Sequence, residues 1–221
     1  MAETYENRRQ DRFVSTSSEL GVAWYNRNAL RLAEQYERAN LETVHGALLP
    51  LFAFLSDGPV LDIGAGSGRD AAWFAARGHS VVAVEPAANL RAEARERHPD
   101  PSIKWLDDRL PDLEAVAARG QTFSLILVSA VWMHVAPADR GRAFESLVSL
   151  LRPGGVLAMT LRLGEPDTER GMSVVTAEEL VAFGAEYGLE QVHNGVSADA
   201  LGRPEVVWGE VGFRKPTYPS V

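Results

Sequence analysis

Two short stretches hold the residue types and spacings that could do chemistry: Val60-Leu61-Asp62-Ile63-Gly64-Ala65-Gly66-Ser67-Gly68-Arg69 and Val81-Val82-Ala83-Val84-Glu85. The first reads as a buried strand running into a glycine turn that opens a helix. The second reads as a buried strand ending in a carboxylate. Turn glycines let a ligand approach the backbone closely, and an acidic side chain about 20 residues after the first glycine can accept hydrogen bonds from ribose hydroxyls. Together they describe a nucleoside site. A dinucleotide fingerprint requires G-x-G-x-x-G, whose third glycine lets helix and strand press together beneath a pyrophosphate. Here the glycines fall at 64, 66 and 68, and Arg69 stands where that third glycine would be.

These groups need strands to carry them, and the chain supplies an alternating pattern. A helical pattern runs from Ser17 to about Asn40, with Leu20, Trp24, Ala29, Leu30, Ala33 and Tyr36 on roughly one face. A second is expected over 41–55. Strands are expected near 59–63, 80–85, 102–106, 122–129 and 155–162, and helices near 69–77, 87–97, 111–118 and 138–151. Such alternation argues for a parallel sheet covered on both faces. Arg152-Pro153-Gly154-Gly155 reads as a sharp turn from helix to strand. Thr176 is expected to cap a helix ending near Tyr187, and Leu189–Val196 and Val206–Phe213 read as closing strands.

The segment D-I-G-A-G-S-G-R, behind V-L and ahead of V-V-A-V-E, resembles the first motif of class I S-adenosylmethionine (SAM)-dependent methyltransferases. The segment L-L-R-P-G-G-V-L at 150–157 is similar to that family's approach to strand five. The resemblance covers about residues 58–213 and points to the methyltransferase type 11, ubiquinone-biosynthesis-like group. It implies an α/β, Rossmann-like fold with a seven-stranded, mostly parallel sheet and helices on both faces. The last strand would run antiparallel beside strand five. Residues 1–57 would form an N-terminal helical cap, part of the same unit as the SAM-binding domain at 58–221.

The resemblance also implies roles for particular residues. Asp62, Gly64, Ala65, Gly66 and Gly68 would lie under the methionine moiety of SAM, with Asp62 alternatively tying the loop backbone. Glu85 would take the ribose, with Pro86 opening the next helix and Ser129 ending strand four. An acidic residue after strand three would meet adenine. D-x-x-L-P lacks one residue of the usual pattern, which leaves Asp107 and Asp108 unresolved; Asp107 is favoured, and either could instead cap the helix near Pro111. Ala33–Glu37 resembles the family's A-x-x-Y-[DE], so Tyr36 either faces SAM or packs in the core. His134, in Ser129-Ala130-Val131-Trp132-Met133-His134-Val135, sits where related enzymes carry a histidine. It is the candidate general base, or else a packed histidine shaping the loop. Trp24, Tyr25, Trp132 and Arg162 are candidate acceptor contacts, with core packing the favoured alternative for Trp24. Arg162 in the pocket would favour a carboxylate or phosphate; otherwise it makes a surface ion pair. The stretch from Gly164 to Gly171 reads as a mobile lid or a solvated connection. His45, His79, His98 and His193 have no comparable context and are expected on the surface or on helix faces.

Composition removes other chemistries. With 221 residues and 46% hydrophobic content, one domain with a substantial core is expected. No cysteine is present, which excludes thiol nucleophiles, disulfides and zinc-thiolate sites. A net charge of −8 argues against a nucleic-acid backbone as partner, and Arg8, Arg9 and Arg12 form either a small anion-attracting patch or a solvated tail. Neither a signal peptide nor a membrane span is legible, so a cytoplasmic protein with no membrane partner is expected. No acidic ligand set follows strand four, so no metal is expected, and a G-x-S-x-G elbow is absent. The expected activity is methyl transfer from SAM, leaving S-adenosylhomocysteine (SAH), to a small molecule at oxygen or nitrogen rather than carbon. Methylation of a protein or tRNA, a nicotinamide-dependent oxidoreductase and a non-catalytic SAM-binding protein are the alternatives. The sequence carries no signal of oligomeric state.

Overall fold

The structure, a computed structural model, describes residues 17–53, 55 and 58–217. Arg8, Arg9 and Arg12 lie outside the described residues, as does the expected boundary at Asp57. Seven strands form one sheet: β1 (Val60–Ile63), β2 (Val81–Val84), β3 (Ile103–Leu106), β4 (Phe123–Ser129), β5 (Leu151–Leu163), β6 (Glu190–Ala198) and β7 (Val207–Arg214). Their order is β3-β2-β1-β4-β5-β7-β6. The first five run parallel, while β7 inserts antiparallel between β5 and β6. β1, β2 and most of β4 are apolar, β-branched-rich and buried at every position, as central parallel strands covered on both faces must be. The order reverses between β1 and β4, which places a crevice at their carboxyl ends.

Successive side chains point to opposite faces, and two apolar layers result. Leu61, Ile63, Val82, Ile126 and Val128 pack under α7 (Glu114–Ala117), α8 (Arg140–Leu150) and α9 (Ala177–Glu186). On the other face Val60, Val81, Ala83, Leu125 and Leu127 pack against α3 (Leu41–Val44), α4 (Leu49–Phe52) and α5 (Arg69–Ala75). A third, smaller cluster joins α2 (Ala29–Tyr36) to α6 (Ala88–Arg97) through Ala29, Leu32, Ala33, Ala87 and Leu90. That cluster and the Asn26–Asn89 hydrogen bonds attach α1 (Ser17–Arg27) and α2 over the carboxyl end of the sheet.

Several expected elements are shorter than their periodicity suggests. The first helix breaks at Asn28, whose side chain donates to the Trp24 carbonyl, a local bond that competes with helix continuation. The 41–55 pattern divides into α3, a 3-10 turn and α4. Asn40 caps α3, His45 leaves the helical region, and Pro50 sits in the first turn of α4. The helix near 111–118 contracts to α7. Arg152-Pro153-Gly154-Gly155 is not a free turn: β5 already pairs at Leu151 with Phe123, and the register jumps before Leu125 pairs with Val156. The four residues form a bulge in the strand, closed by Lys215. Thr176 caps α9 as expected, accepting from the Glu179 amide.

Candidate active site

A cavity of about 220 Å³ opens at the carboxyl ends of β1, β2, β4 and β5. At one end β1 runs into the glycine turn, where Gly64 and Gly66 hold φ values of +68° and +59°, a region open mainly to glycine. A Cβ on Gly64 would stand 2.3 Å from Val131 Cγ2. One on Gly66 would lie 3.5 Å from the Tyr36 ring, inside the cavity. Glu85 closes this end. Its Oε2 accepts from the Gly66 amide at 3.0 Å, its Oε1 accepts from Ala87 at 2.9 Å, and Arg91 donates to its carbonyl. Burial pushes the Glu85 carboxyl up to about 7, against the opposing pull of the two amides. Ala65, Pro86, Ser129 and Tyr36 share this wall.

Other residues expected at the cofactor stand behind it. Asp62 does not line the cavity. It is buried and accepts from the Ala71 amide, and burial together with Asp70 pushes its carboxyl well above the usual range. It therefore ties the loop to α5. Gly68 does not face the cavity either, since its missing Cβ makes room for Trp105 and His98. Asp107, favoured for adenine, lies outside the cavity. It is 67% exposed and pairs with Arg91 at 2.9 Å, because β3 ends before it and turns it to solvent. Asp108 does reach the wall, but its carboxylate accepts from the Arg109 and Val116 amides. That is the helix-capping role, played for α7.

The far end draws on distant segments. His134 lies in a 3-10 turn after β4, with Nε2 3.2 Å from the Tyr25 hydroxyl. Arg170 Nη2 donates to that hydroxyl at 2.6 Å, which leaves the phenolic proton for His134 Nε2 or for the neighbouring Tyr36. Burial, reinforced by Arg170, lowers His134 to about 4, which leaves it neutral at pH 7. Burial raises both Tyr25 and Tyr36, which stay protonated. Arg162 lines the mouth and donates to the Glu165 carbonyl, a backbone contact rather than an ion pair. Asp199 gathers Arg203, Trp208 and the Leu201 amide, setting Arg203 in the opposite wall.

Two aromatic candidates are displaced from the cavity. Trp132 is fully buried between Phe144 and Phe183, and its Nε1 donates to Glu179. The 3-10 turn points it into the core. Trp24 lies behind Tyr25, edge-on to its ring at 5.4 Å, with the Arg170 guanidinium 4.8 Å from the Trp24 ring centre. His45 was expected at the surface but is fully buried. It pairs at 2.9 Å with Asp70, which also takes both sides of Arg69. Burial alone would raise Asp70; His45 and Arg69 instead hold it well below the usual carboxylate range. His98 and His193 contact Glu37 and Glu210.

The segment from Gly164 to Gly171 is about half exposed but packs one residue against the cavity. It forms a 3-10 turn, Thr168–Arg170, that places Arg170 in the cavity wall against α1. Arg170, Arg203 and Glu210 are lining residues that sequence reasoning missed. Only the charges between the two glycines hinted at Arg170. Among the described residues, no group of three or more His, Asp or Glu is placed to hold a metal ion, and no helix is long and apolar enough to cross a membrane.

Residues 60–155 match a family described as a methyltransferase domain. The chain is 32% identical over 135 residues to the malonyl-(acyl-carrier protein) O-methyltransferase of Salmonella typhimurium, covering 59% of this chain and 50% of that protein. It is 29% identical over 181 residues to the ubiquinone biosynthesis O-methyltransferase of Chelativorans sp., covering 77% and 69%. The chain thus spans about half the length of the Salmonella relative. In fold it is similar to a crystal structure of Burkholderia thailandensis 1,6-didemethyltoxoflavin-N1-methyltransferase with bound 1,6-didemethyltoxoflavin and SAH. The TM-score is 0.68 at 21% identity, covering 89% of this chain and 88% of that one. A sheet with an antiparallel β7 between β5 and β6 agrees with this likeness. Over residues 60–155 the chain is thus similar to methyltransferase domains, and in overall fold to a methyltransferase with SAH bound.

Proposed function

We propose that the protein transfers a methyl group from SAM to a small-molecule acceptor at oxygen or nitrogen, without a metal. The observation that carries this reading is that one cavity joins the Gly64–Gly66 turn and Glu85 to the Tyr25–His134 pair. The glycine turn fits SAM because a Cβ at Gly66 would fill the space facing Tyr36. Gly64, Ala65 and Gly66 would hold the methionine portion, Glu85 the ribose hydroxyls, and Pro86 with Leu110 and Asp108 the adenine wall. When bound, SAM supplies a methyl on a positive sulfur, which the acceptor lone pair attacks as the carbon–sulfur bond breaks toward sulfur, leaving SAH.

Because that leaving group is already activated, the residues of this chain mainly position the acceptor and exclude water. A hydroxyl or ammonium acceptor must also lose a proton. Tyr25 and the neutral His134 both line the cavity, so the Tyr25 hydroxyl can take a proton from the acceptor while its own moves to Nε2. The O-methyltransferase names of two relatives and the N1-methyltransferase name of the fold neighbour support oxygen or nitrogen as the target. In this reading residues 1–57 cap the domain at 58–221, and the protein works in the cytoplasm. The test is methyl transfer from isotope-labelled SAM into fractionated metabolites, with thermal-shift titration by SAH and by NAD(P) alongside. Stabilisation by SAH and label in a low-molecular-weight fraction are expected. Stabilisation by the nicotinamide alone, or label only in protein or tRNA, would replace this reading.

A further inference from the structure

Two arginines with enclosed guanidinium groups, Arg140 at the start of α8 and Arg170 at the end of the 3-10 turn that follows β5, are bonded very differently. Arg140, in α8, is 4% exposed and satisfied throughout. Its Nε donates to the Val135 carbonyl, Nη1 to both oxygens of Glu179, and Nη2 to Ser173 Oγ and the Val174 carbonyl. Arg170 has its side chain only 15% exposed. A guanidinium carries five N–H donors, and here one is engaged among the described residues, the Nη2 bond to Tyr25. Its Nε is buried without a hydrogen-bond partner, and the nearest carboxylate oxygen, on Asp167, is 4.0 Å away. Buried donors are almost always satisfied. A guanidinium held open in a cavity wall is therefore missing its counterpart.

The surroundings define what that counterpart is. The Trp24 and Tyr25 rings lie 4.8 and 5.2 Å from the Arg170 guanidinium carbon, fixing the head without consuming its donors. The Asp167 side chain accepts from the Arg170 amide and fixes the backbone. Arg162 lines the same chamber without a carboxylate partner, its Nη1 bonded to the Glu165 carbonyl. Arg203 is already matched by Asp199. Glu210 also lines the chamber, accepting from Ser197, and so disfavours a doubly charged guest. The arrangement calls for a flat monoanion.

We propose that the methyl acceptor carries a carboxylate, and that Arg170 is the residue that seats it, with Arg162 at the mouth. This rests on the methyltransferase reading and names the acceptor class for that same site. Arg170 thereby ties recognition to the proton path, since the guanidinium that holds the carboxylate also donates to the Tyr25 hydroxyl beside His134.

The test uses the full chain saturated with SAH. Benzoate and hexanoate are titrated by calorimetry and ligand-observed NMR, each against its own primary amide, with phenyl phosphate as the phosphate arm. A carboxylate is expected to bind in the millimolar range, about tenfold more tightly than its amide. Arg170→Met should abolish that preference, and Arg170→Lys should retain part of it as a point charge without the fork. SAH affinity, measured in the same samples, should change less than about twofold in both variants. Equal binding of acid and amide, no detectable binding of either acid, an undiminished preference in Arg170→Met, or tighter binding of phenyl phosphate would each overturn the proposal. Failure of wild-type protein to bind SAH would instead overturn the methyltransferase reading, so the two failures are told apart. A loss of folding in Arg170→Met, read by thermal melting, leaves Arg170→Lys to decide.

Discussion

At the glycine-turn end of the cavity, the main polar contacts come from two stretches close in sequence. Glu85 is bonded to Gly66 and Ala87, 19 and 2 positions away. At the other end Tyr25 meets His134 across 109 positions and Arg170 across 145. The near end is closed on itself, its carboxylate satisfied by amides of its own strand-turn-helix unit. The far end is assembled by tertiary packing and retains one buried unsatisfied donor, the Arg170 Nε. A chain can carry the first as a local motif, because adjacent strands of a βαβ unit bring it together wherever the fold forms. The second depends on α1 and α2 remaining docked. Their joint with α6 is a cluster of three alanines and two leucines with Val22, Trp24, Tyr25 and Tyr36 packed against it, smaller than the layers under the sheet. In the proposed reading, acceptor recognition therefore draws on the part of the cavity that depends on this docking.

The sharpest way to break this contrast is at the local end. Gly64→Val places a side chain at φ +68°, with its Cβ 2.3 Å from Val131. The left-handed backbone costs about 1–2 kcal/mol for an L-residue, and overpacking about 1–3 kcal/mol more. SAH affinity should fall on the order of 100-fold by calorimetry, with a clear drop in melting temperature. Unchanged affinity would mean that the turn does not shape the cofactor site.

Glu85→Gln sharpens the contrast by separating binding from stability. A carboxyl whose folded value is raised to about 7 from 4.5 contributes stability that is fully present below pH 4.5 and is lost as pH rises through 7. Wild type should therefore lose stability across that window, whereas the glutamine variant should not. At pH 8 the variant loses the cost of a buried charge but sets its NH2 against one of the two amides. Its melting temperature should therefore change little while it binds SAH about tenfold more weakly, having lost an ionised acceptor for the ribose hydroxyls. Wild-type SAH affinity should rise from pH 6 to 8, and a flat profile would remove Glu85 from the ribose.

The same contrast explains what could be read from the chain beforehand. The parallel strands and the Gly64–Glu85 unit are legible because apolar runs and glycine spacing are local signals, whereas the place of β7 follows from the family resemblance and not from periodicity. Asp107 and Asp108 could not be separated, since which of them leaves the sheet depends on where β3 stops pairing with β2 at Leu106. Trp132 and Trp24 were drawn toward the cavity by residue type alone. Whether a tryptophan faces a pocket or a core is set by the turn that carries it, here one that aims Trp132 at Phe144 and Phe183. His45 gives no sign of burial in its own neighbourhood, because its partner Asp70 lies 25 positions away. Arg170 was hidden for the same reason, since its value as a ligand comes from donors that no sequence neighbour occupies.

The smallest effect, and the one that probes the far end as a unit, is expected from Tyr25→Phe. The hydroxyl bridges Arg170 and His134, and its removal leaves the ring packing against Trp24 intact. Turnover of the labelled acceptor fraction should fall severalfold to about tenfold, with SAH affinity within about twofold of wild type. His134→Gln should cost a similar factor. If Tyr25 passes the proton to His134, the two losses belong to one path, and the double variant should be no slower than the worse single variant. Multiplying losses would mean that the two side chains act separately. In that case His134 would be a packed histidine shaping the loop after β4, and Tyr25 would serve only to aim Arg170.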